Sequence, residues 1–242
     1  MQEHIGLNKL DGFGPIYVIN LERQLERKDY MVRQFEEHGV SNYSFIKAVD
    51  GVNDTLDNVI QLDKLAITRS EIGCTVSHLT AIKHWLDTSD SDHAVIMEDD
   101  ISFETVQYWK FNWKNFISSV RPFDVLQLSI IHEYNINTNL HIREANDWST
   151  GVYFISRSWA EKLVAKHYVD EKFNLYMNRS SVADILIYNS AKAYSAPLFV
   201  TNIGFESSIN QNHTGTSHTR SYLQVTEFWK SINSDAQTKP NP

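Results

Sequence analysis

The stretch His93-Ala-Val-Ile-Met-Glu98-Asp99-Asp100 constrains this chain most, because its apolar run breaks off on three consecutive carboxylates. A short apolar run of this kind reads as a buried strand, and the acids then stand where it leaves the sheet. Ligands of open α/β sheets gather at the carboxyl ends of their strands. Three adjacent negative charges repel, so a cation or a proton is expected to share them. Two readings follow: a metal site that receives an anionic, phosphorylated substrate, or an acidic surface turn after a core strand. In an extended segment Glu98 and Asp100 point the same way, with Asp99 opposite unless a turn begins there. Such an oxygen pair suits Mn²⁺ or Mg²⁺ bridging substrate phosphates.

The neighbouring patterns place that strand in an α/β fold. Gly14 to Asn20 is a first strand, apolar on both faces and therefore central. Asn20 is placed to open a helix over 22–38, with Leu21, Leu25, Val32 and Phe35 as its buried stripe and His38-Gly39 as its stop. Tyr43 to Val49 is a second strand, turned by Asp50-Gly51. A short helix is expected over 62–69 and a clearer one over 71–87, where Val76, Leu79, Ile82 and Leu86 share a side. Residues 105–119 read as a helix rich in large aromatics, and Asp124 to Ile130 as a strand. The Asn-rich segment 132–148 is expected to be a loop or edge hairpin near a binding cleft. Gly151–Ile155 is a strand, Ser158–Lys166 a helix, and Val182–Tyr188 a short helix introduced by Ser180 or Ser181. Ala193–Thr201 is a last strand that Pro197 bends or confines to an edge.

With 242 residues and 42% apolar content, the chain supports a substantial core. No linker or repeat compels a second domain. The expected organisation is an N-terminal arm over 1–13, one domain over 14–230 and a flexible tail over 231–242. The formal charge of −8 and the absence of a basic block with an aromatic ladder argue against a nucleic-acid partner. A single cysteine, Cys74, excludes an intrachain disulfide and a multi-cysteine metal knuckle. No signal peptide and no apolar run of membrane-spanning length is visible. The expectation is a cytoplasmic protein, with peripheral membrane contact and oligomeric state left open.

Other residues offer chemistry. In Glu71-Ile-Gly73-Cys74-Thr-Val-Ser77-His78, Gly73 permits close backbone approach, and Cys74, Ser77 and His78 fall in the first turns of a helix. Helix N-termini attract phosphate. Cys74 reads as a packed thiol more readily than as a nucleophile, since no orienting acid is obvious. His78 is balanced between packing and substrate contact. Arg23 and Arg27 either reach a phosphate or pair with Glu22 and Glu26. His213 and His218 are exposed-loop histidines, either of which could complete a metal shell. Asp184 is a helix-dipole partner or a general base presented into a cleft.

Taken together, these blocks resemble glycosyltransferase family 25, which includes bacterial lipopolysaccharide galactosyltransferases and the collagen galactosyltransferase domain. The similar blocks are Tyr17-Val-Ile-Asn20-Leu-Glu-Arg23 with Arg27, Ala48-Val-Asp50-Gly51, and Gly73-Cys-Thr-Val-Ser77-His78 with Lys83. Val95 to Asp100, Trp148 with Gly151 and Tyr153–Arg157, Asp184, Tyr194–Leu198 and Glu206–Ile209 continue the family order over roughly residues 14–210. The proline common before the family's acid is absent before Asp184.

The resemblance implies a GT-A-like, Rossmann-like mixed sheet flanked by helices. It also implies a nucleotide-sugar donor, most often UDP-galactose, Mn²⁺ (or Mg²⁺) as cofactor, and inverting transfer to a glycan or glycoconjugate hydroxyl. On that reading Glu98 and Asp100 hold the ion, with His213 a third candidate, and Asp99 contacts sugar or ribose. Asn20, Arg23, Arg27, Asp50, Gly73, Ser77, His78 and Lys83 serve the donor, and Asp184 is the base, with Glu206 or Asp147 the next acids. Two other classes stay open: a metal-dependent nucleotidyl or phosphoryl transferase, and a carbohydrate-binding protein using exposed tryptophans such as Trp109 and Trp113.

Overall fold

The computed structural model describes residues 9–58, 60–61, 67–175, 181–205 and 217–234. Strand β1 (Ile16–Asn20) is buried along its whole length. Helix α1 (Leu25–Glu37) leads back to β2 (Tyr43–Lys47), parallel to β1. The helix stops where expected: His38 caps it, and Gly39 takes a φ of +64°, which glycine adopts at no steric cost. Its opening and its buried face differ from expectation. Gln24, not Asn20, precedes the helix. Arg27, Met31, Gln34 and Phe35 face inward, while Leu25 is 66% exposed. Two polar residues occupy the inner face because each finds partners there. Gln34 donates to the Ile101 carbonyl and accepts from the Phe103 N–H, both at 2.7 Å, so its burial leaves nothing unpaired.

A short strand, β3 (Ile60–Gln61), follows, and most of the helix expected over 62–69 lies outside the described residues. The central helix α2 (Arg69–Thr88) starts behind Thr68, whose hydroxyl accepts from the Glu71 N–H while the Glu71 carboxylate accepts from the Thr68 N–H. This reciprocal cap sets the start upstream of Gly73. Gly73 to His78 therefore lie inside the helix rather than at its N-terminal turn, and the expected phosphate site at that position is withdrawn. The acid-ended strand is β4 (His93–Glu98), followed by the short β5 (Ile101–Ser102). Residues 105–119 do not form one helix. A 3₁₀ turn covers Val106–Tyr108, and α3 (Trp113–Ser119) restarts after Asn112, whose side chain accepts from the Asn115 N–H at 2.9 Å. A capping asparagine in mid-segment competes with the continuous helix.

The chain continues through β6 (Val125–Gln127), β7 (His141–Ile142), β8 (Val152–Ser156) and α4 (Arg157–His167). Next come β9 (Tyr168–Val169), β10 (Lys172–Asn174) and α5 (Ala183–Leu186). Strands β11 (Ala193–Ser195) and β12 (Val200–Thr201) lie either side of Pro197 and join different sheets, so the proline marks a bend. Helix α6 (Thr219–Ser234) closes the described chain, running past the expected start of the tail.

Seven strands form one mixed sheet in the order β2-β1-β4-β8-β6-β11-β7. Strands β1, β2 and β4 are parallel, β8 runs against β4 and β6, and β11 runs with β6 but against the edge strand β7. From β1 the chain steps outward to β2, then crosses back past β1 to β4. The order thus reverses between β1 and β4, and the carboxyl ends there, Asn20 and Glu98, border a natural crevice. Alternate strand residues feed two cores. Tyr17, Ile19, Ile96 and Tyr153 pack with α2, α4 and α5, whereas Ile16, Val18, Val95 and Phe154 pack with α1, α3 and α6. No helix among the described residues is long and apolar enough to cross a membrane.

Candidate active site

At the end of β4 the chain turns at once, and the turn decides where the acids go. Asp99 and Asp100 both meet Arg27: Nη1 donates to Asp99 Oδ1 at 2.7 Å and Nη2 to Asp100 Oδ2 at 2.5 Å. The other Asp99 oxygen accepts from Asn20 Nδ2 at 2.7 Å, and the same amide donates to the Gln24 carbonyl at 3.2 Å. The simple alternation of Glu98 and Asp100 on one side, with Asp99 opposite, therefore gives way to an Asp99–Asp100 pair around one guanidinium. The arginines ignore their sequence neighbours. Arg23 pairs with Asp50 instead, and Glu22 pairs with Lys47 at 2.6 Å. Burial raises Asp99 against the pull of Arg27 and Asn20. Burial, with Glu98 and Asp99 nearby, pushes Asp100 up to about 7 despite Arg27.

Glu98 looks the other way, toward α2. Its Oε1 lies 3.3 Å from His78 Nε2 and accepts from the Thr150 hydroxyl at 3.1 Å. His78 Nδ1 lies 3.1 Å from the Tyr153 hydroxyl, so strand β8 orients the imidazole. Burial pushes Glu98 up, but the His78 and Thr150 bonds and the Arg27 charge outweigh it and hold the carboxyl below its ordinary value. Burial pushes the Cys74 thiol well up, assisted by Glu98 and Asp184.

Two clefts meet at this point. The narrower, about 80 Å³, is lined by Arg23, Arg27, Asp50, Ser77, His78 and Asp99 among others. The wider, about 440 Å³, takes in Asp100, Trp148 to Gly151, Asp184, Asn202, Phe205 and His218. Glu98 and Cys74 line both and form the wall between them.

Three donor-site candidates, Asn20, Gly73 and Lys83, do not line either cleft, whereas Ser77 does. Asn20 stands behind Asp99 as its hydrogen-bond donor. Gly73 packs against the turn after β2: a Cβ there would lie 2.7 Å from the Gly51 nitrogen and 2.8 Å from the Val49 oxygen. Its close approach is to backbone rather than to a ligand. Ser77 seals the same junction, accepting from the Val49 N–H at 2.8 Å and donating to the Gly73 carbonyl at 2.6 Å. Lys83 follows His78 by five residues, about 140° around the helix. It pairs with Asp87 at 2.6 Å and lies over the Tyr168 ring. His213 and Glu206 lie outside the described residues. Asp147 is buried with His141 at 3.0 Å and Ser195 at 3.2 Å, and lines neither cleft.

Asp184 comes from the first turn of α5. Its Oδ1 accepts from the Ser149 N–H, and Ser149 is held at a φ of +112°. Burial pushes this carboxyl up, and the Ser149 amide offsets only part of that. Ser180 lies outside the described residues, and Ser181 does not cap the helix. Val182 occupies that position, and the Ser181 hydroxyl donates to the Leu175 carbonyl at 2.7 Å. Trp109 and Trp113 are 2% and 1% exposed, so they are core residues and offer no binding surface. The residues missed from the sequence are Gln34, Ser149 and Thr150. Gln34 could have been found as a polar residue beside Phe35 at the inner phase of α1. The other two form a polar pair just before Gly151 and β8.

Cys74, His78 and Glu98 form a plausible metal-coordinating group, their ligand atoms all lying within 4.8 Å of one another. A cysteine sulfur is a soft ligand, whereas a hard ion prefers oxygen. Oxygen donors are present: Glu98 commits Oε1 and Asp100 commits Oδ2, whereas both Asp99 oxygens are engaged. Glu98 and Asp100 both line the wider cleft and carry oxygens of the kind Mn²⁺ and Mg²⁺ prefer.

A mixed sheet with helices on both faces, and a cleft at its reversal point, defines a GT-A/Rossmann-like single domain. The model of "Glycosyltransferase family 25 (LPS biosynthesis protein)" matches residues 13–184, and the chain belongs to this family. It is 27% identical to human procollagen galactosyltransferase 2, over 78% of this chain and 35% of that protein. It is 26% identical to a glycosyltransferase 25 family member of Aedes aegypti, over 78% of this chain and 36% of that one. The chain thus spans about a third of the length of these relatives. Among solved structures, a glycosyltransferase involved in the glycosylation of the major capsid of PBCV-1 overlaps 89% of this chain and 98% of its own, at 11% identity and a TM-score of 0.47.

Proposed function

We propose that this chain is an inverting glycosyltransferase that moves a hexose, galactose from UDP-galactose being the first choice, to a hydroxyl of a carbohydrate or glycoconjugate. Family membership supports glycosyl transfer. The observation that carries the site reading is the meeting of two clefts at Glu98, with Asp184 across the wider one. The narrower cleft offers guanidinium groups at Arg23 and Arg27 for a diphosphate, and Asp50 and Asp99 for hydroxyls of ribose or sugar. Glu98 and Asp100 would hold a divalent ion, Mn²⁺ by preference, with His78 and Thr150 fixing the Glu98 carboxylate. When bound, that ion supplies charge neutralisation for the departing nucleoside diphosphate.

Asp184 would take the acceptor proton. It is a carboxylate raised by burial, pinned by one amide and open to the wider cleft, and a raised carboxyl is the stronger base. The lipopolysaccharide and collagen settings of the family and its relatives supply the classes of acceptor to try first. A nucleotidyl transferase would use the same acids but would leave the phosphate on the product.

The test is product analysis with a panel of UDP- and GDP-sugars, with Mn²⁺ and without it. Release of free nucleoside diphosphate together with a glycosylated acceptor of inverted anomeric configuration is expected, with UDP-galactose the best donor. Retained configuration, or a nucleotide carried onto the acceptor, sinks the proposal. Titration with UDP alone should show binding that weakens strongly without the ion. Equal binding under both conditions would remove the metal from the donor site.

A further inference from the structure

We infer that Trp148 is the platform on which an acceptor sugar ring stacks, so that the acceptor is a saccharide rather than an extended peptide bearing a hydroxyl. This rests on the transfer reading above and deepens it. The chain has six tryptophans. Trp85, Trp109, Trp113, Trp159 and Trp229 are between 0% and 9% exposed, whereas Trp148 is 38% exposed and lines the wider cleft. A large aromatic left open at the wall of a concave site, among polar groups, is the usual arrangement for an amphipathic ligand.

The backbone carrying that indole is unusually constrained. Trp148 and Ile131 exchange both backbone hydrogen bonds, at 2.8 and 3.1 Å. The fully buried Gln127 donates through Nε2 to three successive carbonyls, Asp147 at 3.1 Å, Trp148 at 3.2 Å and Ser149 at 2.8 Å. The Tyr188 hydroxyl donates to the Ser149 carbonyl at 3.0 Å. Ser149, held at positive φ, turns its amide onto Asp184. A non-glycine residue in that conformation persists only where its surroundings over-determine it, and such residues cluster at ligand clamps. The aromatic platform and the proposed base are therefore adjacent links of one rigid segment.

The chemistry of the surroundings selects the ligand. A pyranose has an apolar face of clustered C–H bonds and a rim of hydroxyls. The platform meets the face, while Glu133, Thr150, Asn202 and Asp184 offer hydrogen-bonding groups around the same cleft. An extended peptide would pair through its own backbone along a strand edge. Trp148 is joined to Ile131 by an isolated bridge, so among the described residues this wall offers a peptide no extended ladder.

The test uses the full chain and three methyl glycosides, of galactose, glucose and N-acetylglucosamine, with a hydroxylysine-containing collagen-like peptide as the competing acceptor. Direct binding is measured by calorimetry, and transfer separately. At least one glycoside should bind the wild type. Trp148→Ala should weaken that binding roughly tenfold, and Trp148→Phe should restore most of it, in line with the worth of one aromatic stack. UDP affinity, which belongs to the other cleft, reports that each variant is folded. Glycoside binding unaffected by Trp148→Ala, no glycoside binding at all, or transfer to the peptide in preference to the glycosides overturns the inference. If a glycoside binds through Trp148 but no sugar is transferred with any donor, the platform stands and the transfer reading falls. If the peptide alone is glycosylated, the reverse holds.

Discussion

The two clefts on either side of Glu98 are built in opposite ways. The narrower draws its walls from β1, α1, the turn after β2, and α2, within the first hundred residues of the chain. Its charged groups are already matched, Arg23 with Asp50 and Arg27 with Asp99 and Asp100. The wider cleft is assembled from seven separated segments, around 71–74, 98–100, 131–133, 148–151, 182–184, 201–205 and 217–218. There the acid Asp184 is bonded to the Ser149 amide, with Arg143 acting on it only through its charge, and an indole stands open. A site of paired charges is organised for a charged ligand that must be held. On the proposed reading, the elevated carboxyl beside an aromatic face serves a neutral ligand that gives up a proton.

Four variants test this contrast, taken from the largest effect downward. Arg27→Met leaves two buried carboxylates without their cation and should cost about 3–5 kcal/mol of stability in urea unfolding. A loss below about 1 kcal/mol would mean that the Asp99–Asp100 pair does not depend on Arg27, and the matched-charge description would go. Asp184→Asn should lower kcat for transfer by roughly 10²-fold or more, with UDP affinity little changed, because the loss belongs to the transition state. Wild-type transfer would send the search for the base elsewhere.

Gly73→Ala drives a methyl group into the Val49–Gly51 backbone and should destabilise by about 1–3 kcal/mol, lowering the midpoint of thermal unfolding. Unchanged stability would show that α2 can move away from the turn, and the narrow cleft would be softer than described. The smallest effect is on pH dependence. The Asp147 hydrogen bond raises His141 above its ordinary 6.5, so His141 contributes stability that is complete below that value. This contribution is lost as pH climbs through the raised folded value. The Tm gap between wild type and His141→Asn should therefore be widest below pH 6.5 and close as pH rises above it. Asp147 does not blur that window: burial raises it, but His141 and the Glu144 amide hold it below its ordinary 3.8, so its contribution is lost only in acid. A gap that stays constant with pH would show that the His141–Asp147 bond carries no charge.

Much of the narrow cleft was legible in sequence because its parts are local. Strand β1, strand β4 and the acids at its end declare themselves through an apolar run that stops on charge. Which acid serves which partner was not legible. Alternation along a strand predicts directions only while the strand lasts, and β4 ends at Glu98, so Asp99 and Asp100 obey the turn instead. The inner face of α1 was misread for a related reason. Periodicity assigns apolar residues to the core, yet Arg27 and Gln34 are buried by partners some seventy residues away in the chain.

By itself, then, the amino-acid order determined the mixed α/β class, the acid-ended strand and the family, since these rest on short-range periodicity and on motifs readable one block at a time. Tertiary structure alone decided that Asp184 meets the Ser149 amide, that Trp109 and Trp113 are core while Trp148 stands in a cleft, and that Lys83 turns away. Each of these depends on contacts between segments far apart in sequence. The free energy that fixes them, burial of one group against satisfaction of another, exists only once the sheet has brought those segments together.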